Sequence, residues 1–264
     1  MSAAAAPKIL IDAVTKTYHA RRTVEALKRI DLGIPEGQFV CLLGPSGCGK
    51  STLLRMIGGL DHPSGGEISI RARNAVSVPT ATVFQSYNVF PWKTILANVR
   101  FGLEMHGTRG RAADTVARGW LKRMGLQDFA DAYPPALSGG MLQRVAIARA
   151  LAVEPEILLM DEPFAALDAQ HRRIMQDELL ALWQEDRRTV VFVTHSLDEA
   201  VLLGDRIVVM SARPGRVLAD ITVPFERPRR AEIRSDPRFA ALEGEIWDLL
   251  RSEVDRAPET GGQA

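Results

Sequence analysis

Several short apolar runs interrupt the chain without alternating with polar residues. They are residues 39–43, 157–160, 190–193 and 207–210, and each stops just before a predicted loop. Uninterrupted runs of this length are typical of strands that are buried on both faces of a parallel sheet. The pattern therefore predicts an α/β fold with a mostly parallel sheet.

Two other segments, residues 8–12 and 67–71, alternate more nearly between polar and apolar positions. Alternation places one face of a strand against a core and the other in water. These segments predict a smaller antiparallel portion beside the parallel sheet.

Helical spacing dominates from about residue 88 to residue 151, which predicts a helical subdomain carried on the sheet. Near the end of the chain, Asp236 is placed to cap a helix and Pro237 occupies its first turn. The apolar residues that recur at helical spacing there are Phe239, Leu242, Ile246, Leu249 and Leu250. We therefore predict one large domain over residues 1–230, a terminal docking helix over residues 231–256, and a disordered tail over residues 257–264.

Composition and charge narrow the classes of protein that fit this pattern. The chain has 264 residues, of which 46% are hydrophobic, so it can bury a full core. Its formal net charge of +1 argues against nucleic acid as the main partner. No apolar run approaches the ~20 residues that cross a bilayer, and no secretory signal opens the sequence. We expect a cytoplasmic chain with Cys41 and Cys48 as free, reduced thiols.

A glycine-rich segment, here called the phosphate loop, covers residues 44–51 and matches the pattern G-x-x-x-x-G-K-[ST]. Its backbone N–H groups could surround a phosphate, Lys50 could reach the β- and γ-phosphates, and Ser51 could ligate Mg²⁺. The predicted nucleotide-binding residues are Gly44, Pro45, Ser46, Gly47, Cys48, Gly49, Lys50, Ser51 and Thr52. The motif by itself indicates only a nucleoside triphosphate binder.

Polar side chains follow two of the predicted buried strands. Asp161 and Glu162 come after residues 157–160, and His195 comes after the run at residues 190–193. Ligands of open α/β sheets bind at the carboxyl ends of the strands. We therefore predict that Asp161 holds Mg²⁺, that Glu162 polarises the attacking water, and that His195 bonds the γ-phosphate. For His195 taken alone, an ordinary surface or core histidine is the alternative.

A second glycine-rich element, the signature segment, covers residues 137–144 and reads L-S-G-G-M-L-Q-R. Ser138 is a natural N-cap for the amphipathic helix that follows, and Gly139 and Gly140 would let a phosphate approach the helix N-terminus. Two phosphate-facing elements in one chain make sense if two subunits enclose each nucleotide. Taken alone, the segment could also be an ordinary glycine-flanked helix start.

The order of these motifs, from about residue 18 to residue 200, closely resembles that of the ABC ATPase family, whose LSGGQ-type signature is LSGGM here. The resemblance implies a P-loop NTPase fold, ATP and Mg²⁺ as cofactors, and a dimer. In that dimer Ser138 and Gly140 would contact the γ-phosphate bound to the opposite subunit, and Asp168 would lie at the seam.

The same resemblance assigns two further residues. It implies that Gln85 reaches Mg²⁺ and the attacking water, and that Tyr18 stacks on adenine. The alternatives are a polar loop residue for Gln85 and a core aromatic at a strand edge for Tyr18. Intact Glu162 and His195 argue against a subunit that binds nucleotide without hydrolysing it.

Residues 89–92 form an apolar cluster directly after Gln85. In the family this region receives a coupling helix of the membrane permease, which implies that Phe90, Pro91 and Trp92 contact it; a local hydrophobic cluster is the alternative.

Residues 90–99, 205–216 and 227–229 resemble importers of nitrate, aliphatic sulfonates and taurine. That likeness implies a peripheral protein on the cytoplasmic face of the bacterial inner membrane, served by an extracytoplasmic solute-binding protein. Importers of thiamine precursors, exporter ATPases and soluble ABC ATPases of DNA repair or translation remain alternatives.

Overall fold

The computed structural model describes residues 6–19, 22–73 and 78–254. The predicted tail over residues 257–264 lies outside this part of the chain. Contacts group the chain into two units. The first unit joins Met1–Arg71 with Leu180–Ala264, and the second unit is Ala72–Leu179.

Parallel strands form the centre of the first unit. Its strands, numbered along the whole chain, are β1 (Ile9–His19), β2 (Thr23–Ile34), β3 (Phe39–Leu43), β4 (Gly65–Ile70), β7 (Thr189–Thr194), β8 (Arg206–Met210) and β9 (Val217–Thr222). Strand β3 pairs in parallel with β7 on one side and with β8 on the other. All residues of β3 and β7 are buried, so the prediction of doubly covered parallel strands is confirmed.

Strand β9 departs from this pattern because it pairs with β8 in the antiparallel direction. None of its residues is buried, and this half-exposed pattern gives no strong apolar run. The sequence pattern therefore did not predict β9.

The predicted antiparallel portion is confirmed by β2, β1 and β4, which form a three-stranded sheet in that order. Ile9 of β1 pairs with Ile34 of β2 and with Ile70 of β4. Strand β2 was not predicted. The register between β1 and β2 shifts at several points, and such irregularities break the alternation that reveals a strand.

The helices of the first unit lie against this framework. They are α1 (Lys50–Ile57), α6 (Leu197–Leu203) and α7 (Pro237–Val254). Helix α7 begins at Pro237, and the predicted capping is confirmed, since Asp236 Oδ1 accepts a hydrogen bond from Arg238 N at 2.9 Å. Phe239, Leu242 and Ile246 are buried, and α7 packs against α6.

In the second unit, two parallel strands accompany a helical layer. Strands β5 (Thr80–Val83) and β6 (Ile157–Asp161) pair directly. Helices α2 (Ile95–Met105), α3 (Gly110–Arg123) and α4 (Gly139–Ala152) pack on one another in the stretch whose sequence pattern is helical. Helix α5 (Ala169–Asp186) starts in this unit and continues into the first.

Helices long and apolar enough to cross a bilayer are absent from the residues that the structure describes.

Candidate functional site

The phosphate loop connects β3 to α1, and the atoms packed against it leave no room for side chains at two of its glycines. A Cβ atom on Gly44 would lie 2.8 Å from Met210 O. A Cβ atom on Gly49 would lie 2.5 Å from Leu27 Cδ2, and Gly49 has a φ of +103°, which favours glycine. Packing inside the first unit therefore demands the glycines that the phosphate-binding pattern also contains.

Lys50 points back into its own loop. Its Nζ atom donates hydrogen bonds to Gly44 O at 2.7 Å and to Pro45 O at 3.0 Å, and it lies 3.8 Å from Cys48 Sγ. Burial raises the pKa of the Cys48 thiol, although the Lys50 ammonium acts in the opposite direction. The Lys50 ammonium group is thus buried within the loop and lies close to any anion that the loop backbone would surround.

Tyr18 lies on β1, is exposed, and reaches the start of α1 with its hydroxyl. Its hydroxyl donates to Asp61 Oδ2 at 2.9 Å and lies 3.5 Å from Thr52 Oγ1. The Nζ atom of Lys16 sits 4.8 Å from the centre of the Tyr18 ring and donates to Asp61 Oδ1 at 2.5 Å. The Lys16 hydrogen bond, helped by that of Tyr18, lowers the pKa of Asp61 to about 2. These contacts fix the ring and cover one of its faces with a cation.

His195 directly follows β7 and is exposed. The residues on either side of it are held by side-chain hydrogen bonds. Thr194 Oγ1 donates to Glu199 Oε2 at 2.5 Å and accepts from Ser196 N at 2.9 Å. Ser196 Oγ in turn caps α6 by accepting from Glu199 N at 3.3 Å. This network positions the backbone from which the imidazole projects.

In the second unit, Gln85 and the predicted carboxylates follow neighbouring parallel strands. Val83 at the end of β5 pairs with Met160 of β6, so Gln85 and Asp161 lie at the same edge. Asp161 is buried and Gln85 is exposed. Glu162 has a φ of +44°, an uncommon conformation for a non-glycine residue that is often found at functional sites.

The signature segment runs into α4, with Ser138 just before the helix and residues 139–144 in its first turns. Ser138 caps the helix by accepting a hydrogen bond from Met141 N at 3.4 Å. Ser138 and Gly139 are exposed. A Cβ atom on Gly139 would lie 2.8 Å from the hydroxyl oxygen of Tyr87. The phenol of Tyr87 therefore occupies the space beside the first glycine, which the sequence pattern did not reveal.

Arg149, on the same helix, connects α4 to the segment after Gln85. Its guanidinium donates to Asn88 O at 2.6 Å and to Tyr87 O at 3.2 Å. It also lies 5.7 Å from the centre of the Phe90 ring. Sequence reasoning missed this role, because one arginine on an amphipathic helix looks like any other half-exposed basic residue.

Asp168 precedes α5 and caps its first turn by accepting from the backbone N–H groups of Gln170 and His171. His171 Nδ1 also lies 2.6 Å from Asp168 Oδ2, and these contacts lower the pKa of Asp168. A Cβ atom on Gly140 would lie 3.6 Å from His171 Cδ2. The structure thus brings Asp168 close to the signature segment through His171, a residue that was not predicted to take part.

The aromatic cluster of residues 90–92 is organised by Asn98, which is fully buried on α2. Asn98 Oδ1 accepts from Phe90 N at 2.7 Å, and Asn98 Nδ2 donates to Phe90 O at 3.2 Å. The rings of Phe90 and Trp92 lie 5.5 Å apart, yet the Trp92 side chain is 71% exposed. An asparagine between apolar helix positions was the signal available in the sequence for this turn.

Comparisons with known proteins agree with this architecture. The model of the ABC transporter family matches residues 27–165. An uncharacterised ABC transporter ATP-binding protein of Methanocaldococcus jannaschii is 49% identical over 94% of this chain and 92% of its own length. The taurine import ATP-binding protein of Rhizobium johnstonii is 46% identical over 93% of this chain and 97% of its own length. The nitrate import ATP-binding protein of a Synechocystis strain is 45% identical, over 90% and 93% respectively.

Among solved structures, one similar chain is an ATP-binding cassette in a dimeric, post-hydrolysis state with ADP and inorganic phosphate bound. It is 37% identical, superposes with a TM-score of 0.72, and the match covers 83% of this chain and 100% of that one.

Proposed function

The chain belongs to the ABC transporter family and is an ATPase, and from that premise we propose that it powers an importer as a dimer enclosing two ATP molecules. In this proposal residues 1–230 are the nucleotide-binding domain, residues 88–151 its helical subdomain, and residues 231–256 a terminal docking helix. The observation that carries the proposal is the capped N-terminus of α4, where Ser138 and Gly139 are exposed, in a chain whose own phosphate loop already holds the buried Lys50.

ATP would bind with its phosphates in the phosphate loop, contacted by residues 44–52. The Lys50 ammonium would exchange its hydrogen bonds to Gly44 O and Pro45 O for bonds to phosphate oxygens. Adenine would stack on Tyr18. Because Lys16 covers one face of that ring, the base would take the other face.

The residues proposed to hold Mg²⁺ are Ser51, Gln85 and Asp161, which offer hydroxyl, amide and carboxylate oxygens of the kind that this ion prefers. Such an ion neutralises charge on the phosphates during transfer. Glu162 is the proposed base that accepts a proton from the attacking water, while His195 donates a hydrogen bond to the γ-phosphate.

The second subunit would complete each site. Ser138 and Gly140 on its α4 would offer the helix N-terminus to the γ-phosphate, with Gly139 between them and Asp168 at the seam. Ser138, Gly139 and Asp168 are exposed and Gly140 is half-buried, which supports the idea because these groups are accessible to a partner. ATP would then join the two subunits, and hydrolysis would release them.

Dimer formation can be tested by light scattering on the purified chain. Glu162→Gln should form a dimer when ATP is added, since it would bind ATP without hydrolysing it. Adding Gly140→Asp to this variant should abolish the dimer by like-charge repulsion with the phosphate, while ATP binding stays intact. A double variant that dimerises as well as Glu162→Gln alone would contradict the sandwich arrangement.

Coupling to transport would run through a separate transmembrane permease, which this chain would contact from the cytoplasmic face of the bacterial inner membrane. Exposed Trp92, with Phe90 and Pro91, is the proposed contact surface. Cysteines introduced at Phe90 or Trp92 should crosslink to the permease in the assembled complex. Trp247, on α7 and 56% exposed, offers a matched position that should not crosslink.

For the solute, the named relatives favour small anions or sulfonates of the taurine and nitrate type. Binding assays on the associated extracytoplasmic protein, with taurine, other sulfonates, nitrate and thiamine precursors, would test this. Tight binding of a thiamine precursor alone would move the assignment to that class, and the lack of any associated binding protein would favour an exporter.

A further inference from the structure

The turn between β8 and β9, residues 211–216, carries the sequence Ser-Ala-Arg-Pro-Gly-Arg, to which the proposed mechanism gives no role. We propose that Arg213 in this turn is a positioning residue for the phosphate loop, acting through the peptide that joins Gly47 and Cys48. The proposal rests on the assignment of residues 44–51 as the site of the ATP phosphates.

Arg213 contacts the phosphate loop at one glycine. Its Nε atom donates a hydrogen bond to Gly47 O at 3.2 Å. Its Nη2 atom lies 3.0 Å from the position that a Cβ atom on Gly47 would take. Gly47 also has a φ of +76°, in the left-handed region that favours glycine. Residue 47 is therefore constrained twice, by its backbone conformation and by the guanidinium that lies against it.

The hydrogen bond from Arg213 fixes the direction of a peptide group. In a trans peptide the C=O and N–H groups point in opposite directions, so orienting one orients the other. Gly47 O faces Arg213, while the N–H of Cys48, on the same peptide, donates to Pro45 O at 3.3 Å. The peptide is thus held on both sides.

Pro45 O links this peptide to the ammonium group of Lys50. The same oxygen accepts a hydrogen bond from Lys50 Nζ at 3.0 Å. Arg213 is therefore connected to Lys50 through the Gly47–Cys48 peptide and Pro45 O. Releasing Gly47 O would free this peptide to rotate and would loosen the loop that presents its N–H groups to phosphate.

Hydrogen bonds within the turn hold the backbone of Arg213 in place. Ser211 is buried, and its Oγ atom donates to Pro214 O at 3.2 Å and accepts from Arg216 N at 3.1 Å. Ser211 N also donates to Arg216 O at 2.9 Å. These bonds close the turn on itself, so the Arg213 backbone has little freedom.

The turn is also anchored directly on the phosphate loop and on β2. Gly215 N donates to Ala26 O at 2.9 Å, and Lys28 N donates to Gly215 O at 2.9 Å. A Cβ atom on Gly215 would lie 2.0 Å from Cys48 O, so the two backbones touch. Arg213 is thus presented to Gly47 from a support that is packed against the same loop.

The test compares Arg213→Ala, Arg213→Lys and Arg216→Ala in the full-length chain. Arg216 is exposed in the same turn, and its guanidinium lies 3.8 Å from Glu253 rather than against the phosphate loop. The readouts are ADP affinity by titration calorimetry, KM and kcat for ATP, and the melting temperature without nucleotide.

We expect Arg213→Ala to weaken ADP affinity and raise KM by about tenfold, the effect of losing one hydrogen bond from a charged donor. The kcat should stay within about twofold, because the loss falls on binding. Arg213→Lys should recover most of the affinity, and Arg216→Ala should match the unaltered chain.

Three results would overturn the proposal. The first is an ADP affinity in Arg213→Ala equal to that of Arg216→Ala, and the second is a fall in kcat without a rise in KM. The third is a lower melting temperature that accounts for the weaker binding and is not corrected by Arg213→Lys.

Lys50→Ala separates this inference from its premise. If Lys50→Ala abolishes ADP binding while Arg213→Ala is normal, only the role of Arg213 fails. If Lys50→Ala still binds ADP normally, the assigned phosphate site fails as well.

Discussion

The phosphate loop in the first unit and the signature segment in the second are both glycine-rich and both lead into a helix, yet their surroundings differ. Lys50 is buried and bonded to two carbonyl oxygens of its own loop. Ser138, Gly139 and Asp168 are exposed, and the side chains of Ser138 and Asp168 each cap the start of a helix. The first element is preformed within its unit, whereas the second is an open surface. This difference is the reason why we propose a resident phosphate site in the first unit and a surface that docks on a second subunit in the other.

The sharpest way to separate the two regions is to compare Lys50→Ala with Glu162→Gln. Lys50→Ala should abolish ATP binding, since it removes the buried cation. Glu162→Gln should keep ATP affinity but lower turnover by at least about a hundredfold, because it removes the proposed base. Phosphate release and nucleotide binding, measured on both variants, check this. Near-normal phosphate release by Glu162→Gln would exclude Glu162 as the base.

A second comparison sets an exposed tryptophan of each unit against the other. Trp92→Ala should weaken binding of the chain to its permease by about thirtyfold, as expected for a large aromatic anchor at an interface. Trp247→Ala should leave that affinity unchanged. Both side chains are largely exposed, so neither variant should lower the melting temperature much. Equal losses for both variants in a pull-down with the permease would argue against the residue 90–92 cluster as the contact.

A smaller difference is expected between the stabilities of two glycine variants, one in each segment. In Gly44→Ala the new methyl would meet the backbone at Met210 O, which cannot move away, and we expect a loss of about 2–3 kcal/mol in the free energy of unfolding. In Gly139→Ala the methyl would meet the end of the Tyr87 side chain, which can turn, so the loss should be about 1 kcal/mol or less. Denaturant titrations without nucleotide measure both. If Tyr87→Phe restored the free energy of unfolding of Gly139→Ala, the Tyr87 hydroxyl would be identified as the obstacle.

The smallest expected effect is a loss of stability at low pH that depends on Asp61. The Lys16 and Tyr18 hydrogen bonds lower the pKa of Asp61 to about 2 in the folded chain, so the unfolded chain binds the proton more readily. The stabilisation by Asp61 should be complete above about pH 4 and vanish as the pH falls toward 2. Asp61→Asn should therefore lower the melting temperature at pH 6 more than at pH 3. Asp168→Asn, in the second unit, should show a weaker trend because Asp168 is fully exposed to solvent screening.

Local patterns carried much of the fold. The uninterrupted apolar runs at residues 39–43, 190–193 and 207–210 predicted three buried parallel strands, and the alternating runs at residues 8–12 and 67–71 predicted the antiparallel sheet. The sequence pattern did not predict β2 and β9. Their own residues do not alternate clearly, and they are strands because they pair with β1 and β8. Helix caps at Ser138 and Asp236 were predictable, since capping involves residues only two or three positions apart.

By itself, the sequence determined the chemistry that the chain can offer: a lysine and glycines for phosphate, carboxylates after a buried strand, and a serine at the start of α4. Each depends on residue type and short spacing, which the chain carries locally. Only the tertiary structure decided which side chains support them, including Tyr87 against Gly139, Asn98 beneath Phe90, and Arg213 against Gly47. The Arg213 contact joins residues 166 positions apart along the chain, and no local pattern specifies such a distance.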